Sequence, residues 1–350
     1  MRFHMPVFLS IVCILFASTV CAAPLHHPHS ILITPQQLHQ WITEKKTGLI
    51  IAEVSWGGPK DYDAGHVPGA IHINTDEIEY DEFNARSSTP ADKLGRSTTI
   101  EEDQAKGLSP DSTLPRNWWN IYPDTLLLPA LAFMGIDVNS TVVLYGKDPT
   151  AAARLAWTLL YAGVEHVFLL NGGLHAWKTA GFDVSTESVT RNPVANFGAK
   201  TALHPEYLVD VPFVRQKIKS NAPDFVLMDI RTRDEFDGKT APYSYIPTKG
   251  RVHNAVWGKS GKGPWTMEYY VDKDGVFKTP QEVEAMWKEQ GIRGDRHTAF
   301  YCGTGWRSSM AFLYAYMLGW DTISNFDSGW YEWSMGSEAA QNPIDTFSSK

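Results

Sequence analysis

"TVVLYGKDPTAAARLAWTLLYAG", Thr141–Gly163, decides the fold, because the chain carries it twice. Shifted by 156 residues, it falls without a gap on "HTAFYCGTGWRSSMAFLYAYMLG", His297–Gly319. Tyr145 lands on Tyr301 and Gly163 on Gly319; further out, Gly135-Ile136 lands on Gly291-Ile292, Gly173 on Gly329 and Trp177 on Trp333. Each copy opens with a short apolar run, Thr141–Tyr145 or Thr298–Tyr301, that reads as a buried strand. A turn follows, then a helix-like segment, Ala151–Ala162 or Ser308–Leu318. A second strand, Val167–Leu170 or Ile323–Phe326, leads through a Gly-rich turn to a helix carrying Trp177 or Trp333. Strands alternating with helices predict an α/β fold with parallel sheets of βαβ units.

Each half also opens alike. Leu38–Lys45 and Leu208–Lys219 read as amphipathic helices, with Pro35 and Pro205 just inside or before their starts, where a missing N–H costs nothing. Buried strands follow at Leu49–Val54 and Phe225–Ile230. The stretch around 186–203 has no sustained periodicity and reads as a linker. The predicted domains are therefore 31–185 and 204–345. An insertion at about 74–123, rich in Asp, Glu, Ser and Thr, reads as a solvated surface excursion rather than a binding lid. "DKDG", Asp272–Gly275, begins like a calcium loop, but its twelfth position is Val283 rather than Glu, so no calcium site is predicted. "HHPH", His26–His29, reads as a loose tail rather than a metal site.

A length of 350 residues suits two domains. A net charge of -8 without basic runs argues against a nucleic-acid partner. No metal and no cofactor is expected. The start of the chain reads as a signal peptide, residues 1–22: Arg2, an apolar run over Val7–Ala17, and "VCA" at Val20–Ala22 before the cut. The run is shorter than the ~18 residues expected of a span. The expectation is an exported protein, periplasmic or secreted, with no integral membrane segment after cleavage. Val20 stands where a lipoprotein signal would place a small residue, which weakens lipid attachment at Cys21.

Removing the leader removes Cys13 and Cys21 and leaves Cys302 alone. In an oxidising compartment cysteines pair, so a leftover thiol stands out as reactive. The repeat sharpens this, because Cys302 falls on Gly146 and Arg307 on Ala151. The first copy keeps the strand, turn and helix without either residue, so the scaffold does not need them. A loop that leaves a parallel strand and enters a helix gathers backbone N–H groups into an anion-binding nest. Gly303 and Gly305 let that backbone bend. Cys302 is there the candidate nucleophile, and Arg307 can add charge and hydrogen bonds toward an anionic substrate. The carboxyl end of a sheet strand is where open α/β sheets place their sites.

"CGTGWR" (Cys302–Arg307), with "DSGWYEW" (Asp327–Trp333) downstream and "DIRTRDEFDG" (Asp229–Gly238) upstream, resembles the rhodanese sulfurtransferases. The resemblance covers nearly the whole mature chain as two tandem rhodanese-like domains, each a mainly parallel sheet flanked by helices. It is close to exported bacterial multidomain members, whose preceding domain has a cysteine-free loop like Tyr145–Asp148. "GHVPGA" (Gly65–Ala70) is also typical of the family, whereas "GRVHNAV" (Gly250–Val256) departs from it. The resemblance implies a silent first domain, 31–185, and a catalytic second, 204–345. It implies sulfur transfer by double displacement through a persulfide on Cys302. The donor would be a small anion such as thiosulfate, and the acceptor thiophilic: cyanide, a thiol or a protein. Substrate binding would fall to Arg231, Gly303, Thr304, Gly305, Trp306 and Arg307.

Alternatives remain beside this reading. Arg231 could be held in an ion pair, and Trp306 could be packing at the loop mouth. A second arginine of the mercaptopyruvate branch would fall at Glu235, which weighs against mercaptopyruvate although "CGTG" looks like that branch's loop. Related phosphatases use C-x5-R, and this loop is one residue shorter. A persulfide carrier with little turnover is the reading from outside enzymes. A disulfide oxidoreductase would lack its resolving cysteine.

Overall fold

The structure, a computed structural model, describes Met1 and residues 30–80, 119–243 and 245–346. The leader, the His26–His29 tail and positions 81–118 of the insertion lie outside the described residues. The first repeat runs β1 (Leu32–Ile33), α1 (Pro35–Thr43), β2 (Leu49–Ser55), α2 (Lys60–Asp63), β3 (Ile71–Asn74), α3 (Asp124–Phe133), β4 (Thr141–Tyr145), α4 (Pro149–Ala162), β5 (His166–Leu170) and α5 (Gly173–Thr179). The second opens with β6 (Leu208–Val209), α6 (Val211–Lys219), β7 (Phe225–Asp229), α7 (Arg233–Phe236), β8 (Arg251–Val252) and β9 (Val256–Trp257). It continues with α8 (Pro280–Glu289), β10 (His297–Tyr301), α9 (Trp306–Met317), β11 (Ile323–Phe326), α10 (Gly329–Met335) and β12 (Ile344–Asp345).

Each repeat folds into a five-stranded sheet, β1-β5-β4-β2-β3 and β6-β11-β10-β7-β9, and every pairing within both is parallel. The strand orders match position for position, as a duplication requires. The expected helix over Leu208–Lys219 is shorter than its apolar pattern. Leu208 and Val209 pair with Asn325 and Phe326 at the sheet edge. Asp210 is extended (φ -105°, ψ 174°), and its side chain accepts the Phe213 N–H, so the helix begins at Val211. Pro205 opens a separate 3-10 turn, Pro205–Tyr207.

The central helices join the repeats. On α4 every residue from Thr150 to Ala162 is buried, and on α9 every residue from Arg307 to Ala315. A helix apolar on all sides has to be covered on all sides. Here α4 and α9 pack on each other and each also lies on its own sheet, so one continuous core spans both repeats. The expected solvated excursion is corrected at its two ends. Tyr80 N–H donates to Asn120 O (2.9 Å) and Tyr122 N–H to Ile78 O (2.9 Å), and Glu79 between them is fully buried.

Candidate active site

β10 ends at Tyr301, and Cys302 follows at its carboxyl end, buried. The next residues turn into α9, whose N-cap is Gly305 at φ +84°. Carbonyls in this turn are tied back into the protein. Cys302 O accepts from Trp330 N–H (2.8 Å), and Gly303 O from Tyr331 N–H (2.9 Å). Gly305 O accepts from Ser309 Oγ (2.7 Å) and Asn325 Nδ2 (3.2 Å). By contrast, the N–H groups of Gly303, Thr304, Gly305, Trp306 and Arg307 have no protein acceptor among the described residues. Successive unpaired N–H groups at a helix N-terminus make an anion-binding concavity. Ser308, in the first turn of α9, donates its hydroxyl toward Cys302 Sγ at 3.8 Å.

Arg307 is not presented as a free cation. It is buried, with Nη1 3.2 Å from Glu235 Oε2, Nη2 3.3 Å from Oε1, and Nη2 2.6 Å from the Tyr243 hydroxyl. Glu235 is anchored in turn by a capping box, receiving Thr232 N–H (3.0 Å) and the Thr232 hydroxyl (2.9 Å). Burial alone would raise the Glu235 carboxyl. Arg307, Arg231 and the hydrogen bonds outweigh it and hold the group below the usual carboxylate range. Arg231 is likewise engaged. Its Nε and Nη2 donate to Asp229 at 2.8 and 2.6 Å, Nη2 also reaches Gly250 O at 2.9 Å, and the guanidinium lies 4.7 Å from the Trp330 ring. Both arginines expected to bind substrate are thus found in ion pairs. Each ion pair is buried; that of Arg231 also holds the backbone at Gly250, and that of Arg307 ties the start of α9 to Glu235 and Tyr243.

Trp306 is half-buried and points its indole N–H at Glu79 Oε1 (3.1 Å), across the repeat interface. Glu79 Oε2 accepts Arg154 Nε (2.9 Å), and the same guanidinium reaches Asp327. Asp327 Oδ2 also takes the Ile121 N–H (2.8 Å). Burial pushes the Glu79 carboxyl well above its ordinary range, against the pull of Arg154. This cluster lies directly under the loop: a Cβ on Gly305 would come 2.3 Å from Asp327 Oδ1 and 2.8 Å from Arg154 Nη1. Thr304 is half-buried at the loop crest. An aromatic mouth stands over the site. Tyr243 meets Trp265 edge-on at 4.7 Å and Tyr245 at 5.4 Å, while Trp119 lies 4.7 Å from Tyr245.

Sequence reasoning missed Ser308, Tyr243, Glu79, Arg154 and Asp327. One signal was available. Arg154 is the lone charge in "AAARLAWTLLYA", and a charge in an otherwise apolar helix needs a buried partner.

The first repeat's counterpart lacks the thiol and has no room for a side chain at Gly146. A Cβ at Gly146 would meet Val54 O at 2.2 Å, so the backbone there leaves no room for any side chain.

The fold and this loop define a tandem α/β protein with one cysteine-bearing anion nest. The Rhodanese-like domain family model matches residues 34–180 and 213–335, and the chain belongs to that family. It is 36% identical over 324 residues to the thiosulfate sulfurtransferase YnjE of Escherichia coli strain K12, with 90% of this chain covered. The chain spans 65% of that relative's length. It is 26% identical over 286 residues to the sulfur carrier protein TtuD of Thermus thermophilus, covering 78% of this chain and 83% of TtuD. It is also similar to the solved anaerobic ergothioneine biosynthesis enzyme from Chlorobium limicola in complex with trimethyl histidine. That match has a TM-score of 0.76 at 29% identity and covers 91% of this chain and 71% of the other.

Proposed function

We propose that the protein is a sulfurtransferase that carries sulfane sulfur on Cys302, with thiosulfate as donor. The observation that carries this reading is the loop itself: a buried cysteine heads a turn whose carbonyls are tied back and whose N–H groups stay unpaired. The Cys302 thiolate attacks the outer sulfur of thiosulfate. The sulfur–sulfur bond of the donor breaks, sulfite leaves with the electron pair, and Cys302 holds a persulfide anion. An acceptor nucleophile, cyanide or a thiol, then takes the outer sulfur, and the thiolate returns. The loop N–H groups and the start of α9 are the donors offered to the persulfide. Ser308 adds a hydroxyl at Sγ. Arg307 and Arg231 act as positioning residues, since Glu235 and Asp229 already neutralise them.

Intact mass after incubation with thiosulfate tests the step. The expected result is a gain of one sulfur atom, lost on adding cyanide and absent in Cys302→Ser. A wild-type protein without the adduct overturns the mechanism. An adduct that forms but that neither cyanide nor small thiols discharge favours a persulfide carrier, the class that the likeness to TtuD suggests. Mercaptopyruvate fits less well, because Glu235 places a carboxylate where that chemistry would want a cation. We further propose export, on the strength of residues 1–22. Mature protein should begin at Ala23, and full-length protein retained inside the cell would refute this.

A further inference from the structure

The first repeat has a cavity at the place that corresponds to the Cys302 loop of the second. It has a volume of about 430 Å3 at the carboxyl ends of β2, β4 and β5. The turn Asp272–Phe277 roofs it from the other half of the chain: Gly172 N–H donates to Gly275 O (3.2 Å), and Phe277 N–H to Asn171 Oδ1 (2.8 Å). That turn contains the "DKDG" segment, for which no calcium site is predicted.

Glu53 borders this cavity with 3% of its surface exposed, and neither carboxylate oxygen has a hydrogen-bond partner among the described residues. Its nearest cationic candidate is His72 Nε2 at 3.7 Å, too long for a hydrogen bond and engaged with Ser55 Oγ at 2.9 Å. A buried carboxylate without a partner is costly, and the second repeat shows how the same position is normally satisfied. Glu53 aligns against β4 opposite Tyr145, and Asp229 against β10 opposite Tyr301. Asp229 receives the Arg231 guanidinium and the Tyr301 hydroxyl (2.5 Å). Two residues after Glu53, where Arg231 would be, stands Ser55. The first repeat has thus kept the carboxylate, removed the guanidinium and left an open volume beside it. At the rim stand three lysines, Lys147, Lys178 and Lys273, of which Lys147 and Lys273 also touch Asp61 and Asp274.

We propose that this cavity binds a small zwitterion, its guanidinium or ammonium group on Glu53 and its anionic end toward the rim lysines. The site is independent of sulfur transfer at Cys302. The titratable groups facing Glu53 are Asp61 of α2, His72 of β3 and Tyr145 of β4. Burial, helped by Asp61, raises Glu53 to about 7, so binding is best read at pH 8, where it is ionised.

Calorimetric titration of the whole protein tests this with two probes and their neutral-headed counterparts: guanidinoacetate against ureidoacetate, and γ-aminobutyrate against pentanoate. At least one cationic probe should bind with a Kd on the order of 1 mM or tighter, and at least about tenfold tighter than its counterpart. Glu53→Gln should bring that probe down to its counterpart's level while persulfide formation on Cys302 stays unchanged, which also shows that the variant folds. Lys178→Ala should weaken the probe without abolishing it. The proposal is overturned if neither cationic probe beats its counterpart, or if Glu53→Gln binds both as the wild type does.

Discussion

Trp306, the first residue of the helix behind the cysteine loop, donates its indole N–H to Glu79 of the other repeat at 3.1 Å. That bond ties the loop to a buried ion cluster of Glu79, Arg154 and Asp327. The nucleophile's loop is therefore held in part by two charges, Glu79 and Arg154, from the other half of the chain.

Arg154→Met should be severe and Glu79→Gln mild. Losing the guanidinium leaves two buried carboxylates unpaired, expected to cost about 3–5 kcal/mol. A glutamine at 79 keeps its one oxygen for Arg154 but turns its NH2 toward the Trp306 N–H, and it leaves one arginine facing one aspartate, expected to cost about 1–2 kcal/mol. Urea unfolding measures both, and equal losses would contradict the cluster as described.

Two glycines in the loop should behave differently. Gly305→Ala forces a left-handed residue to carry a Cβ 2.3 Å from Asp327 Oδ1, and about 1–3 kcal/mol of stability should go with most of the persulfide yield. A Cβ at Gly303 meets Tyr243 and Ile246 only at 3.5 and 3.6 Å, ordinary contact distances. Gly303→Ala should unfold close to the wild-type midpoint.

Gly146→Cys should not create a second sulfur site. Its Cβ would collide with Val54 O, so the variant should lose stability and still take up at most one sulfur atom by intact mass. A second, cyanide-sensitive adduct would show that the first loop opens more readily than its backbone suggests.

Glu53 should make stability fall with pH. Its carboxyl goes from an ordinary 4.5 to about 7 in the folded protein. The folded state binds the proton more tightly, so the favourable contribution is complete below 4.5, fades between 4.5 and 7, and is gone above 7. The full span is at most about 3 kcal/mol. Glu53→Gln should match the wild type near pH 4.5 and exceed it at pH 8. A gain of equal size at both pH values would rule out Glu53 as the source.

The sheets were legible where strands were long enough to carry an apolar run. Ile323–Phe326 and β4 were read to the residue, and β10 within one. β1 and β6 were invisible because two-residue strands have no periodicity, and only their partners β5 and β11 define them. Cys302 and its glycines stood out because the first repeat lacks them. The role of Arg307 did not, because its partner Glu235 lies 72 residues away and serves locally as a capping-box residue. Glu79 was hidden for a different reason. It borders a segment whose composition is that of a solvated surface, and only pairing between the segment's two ends buries it.

The helices that follow Gly146 and Cys302 share one core, and that has a genetic consequence. A gene encoding the second repeat alone would keep every atom of the proposed nucleophile's own loop. It would lose Arg154 and Glu79, strip the cover from α9, and leave Asp327 without its guanidinium. Deleting the first repeat should therefore destabilise the second. The two repeats are thus inherited as a single folding unit, joined by the core that they share.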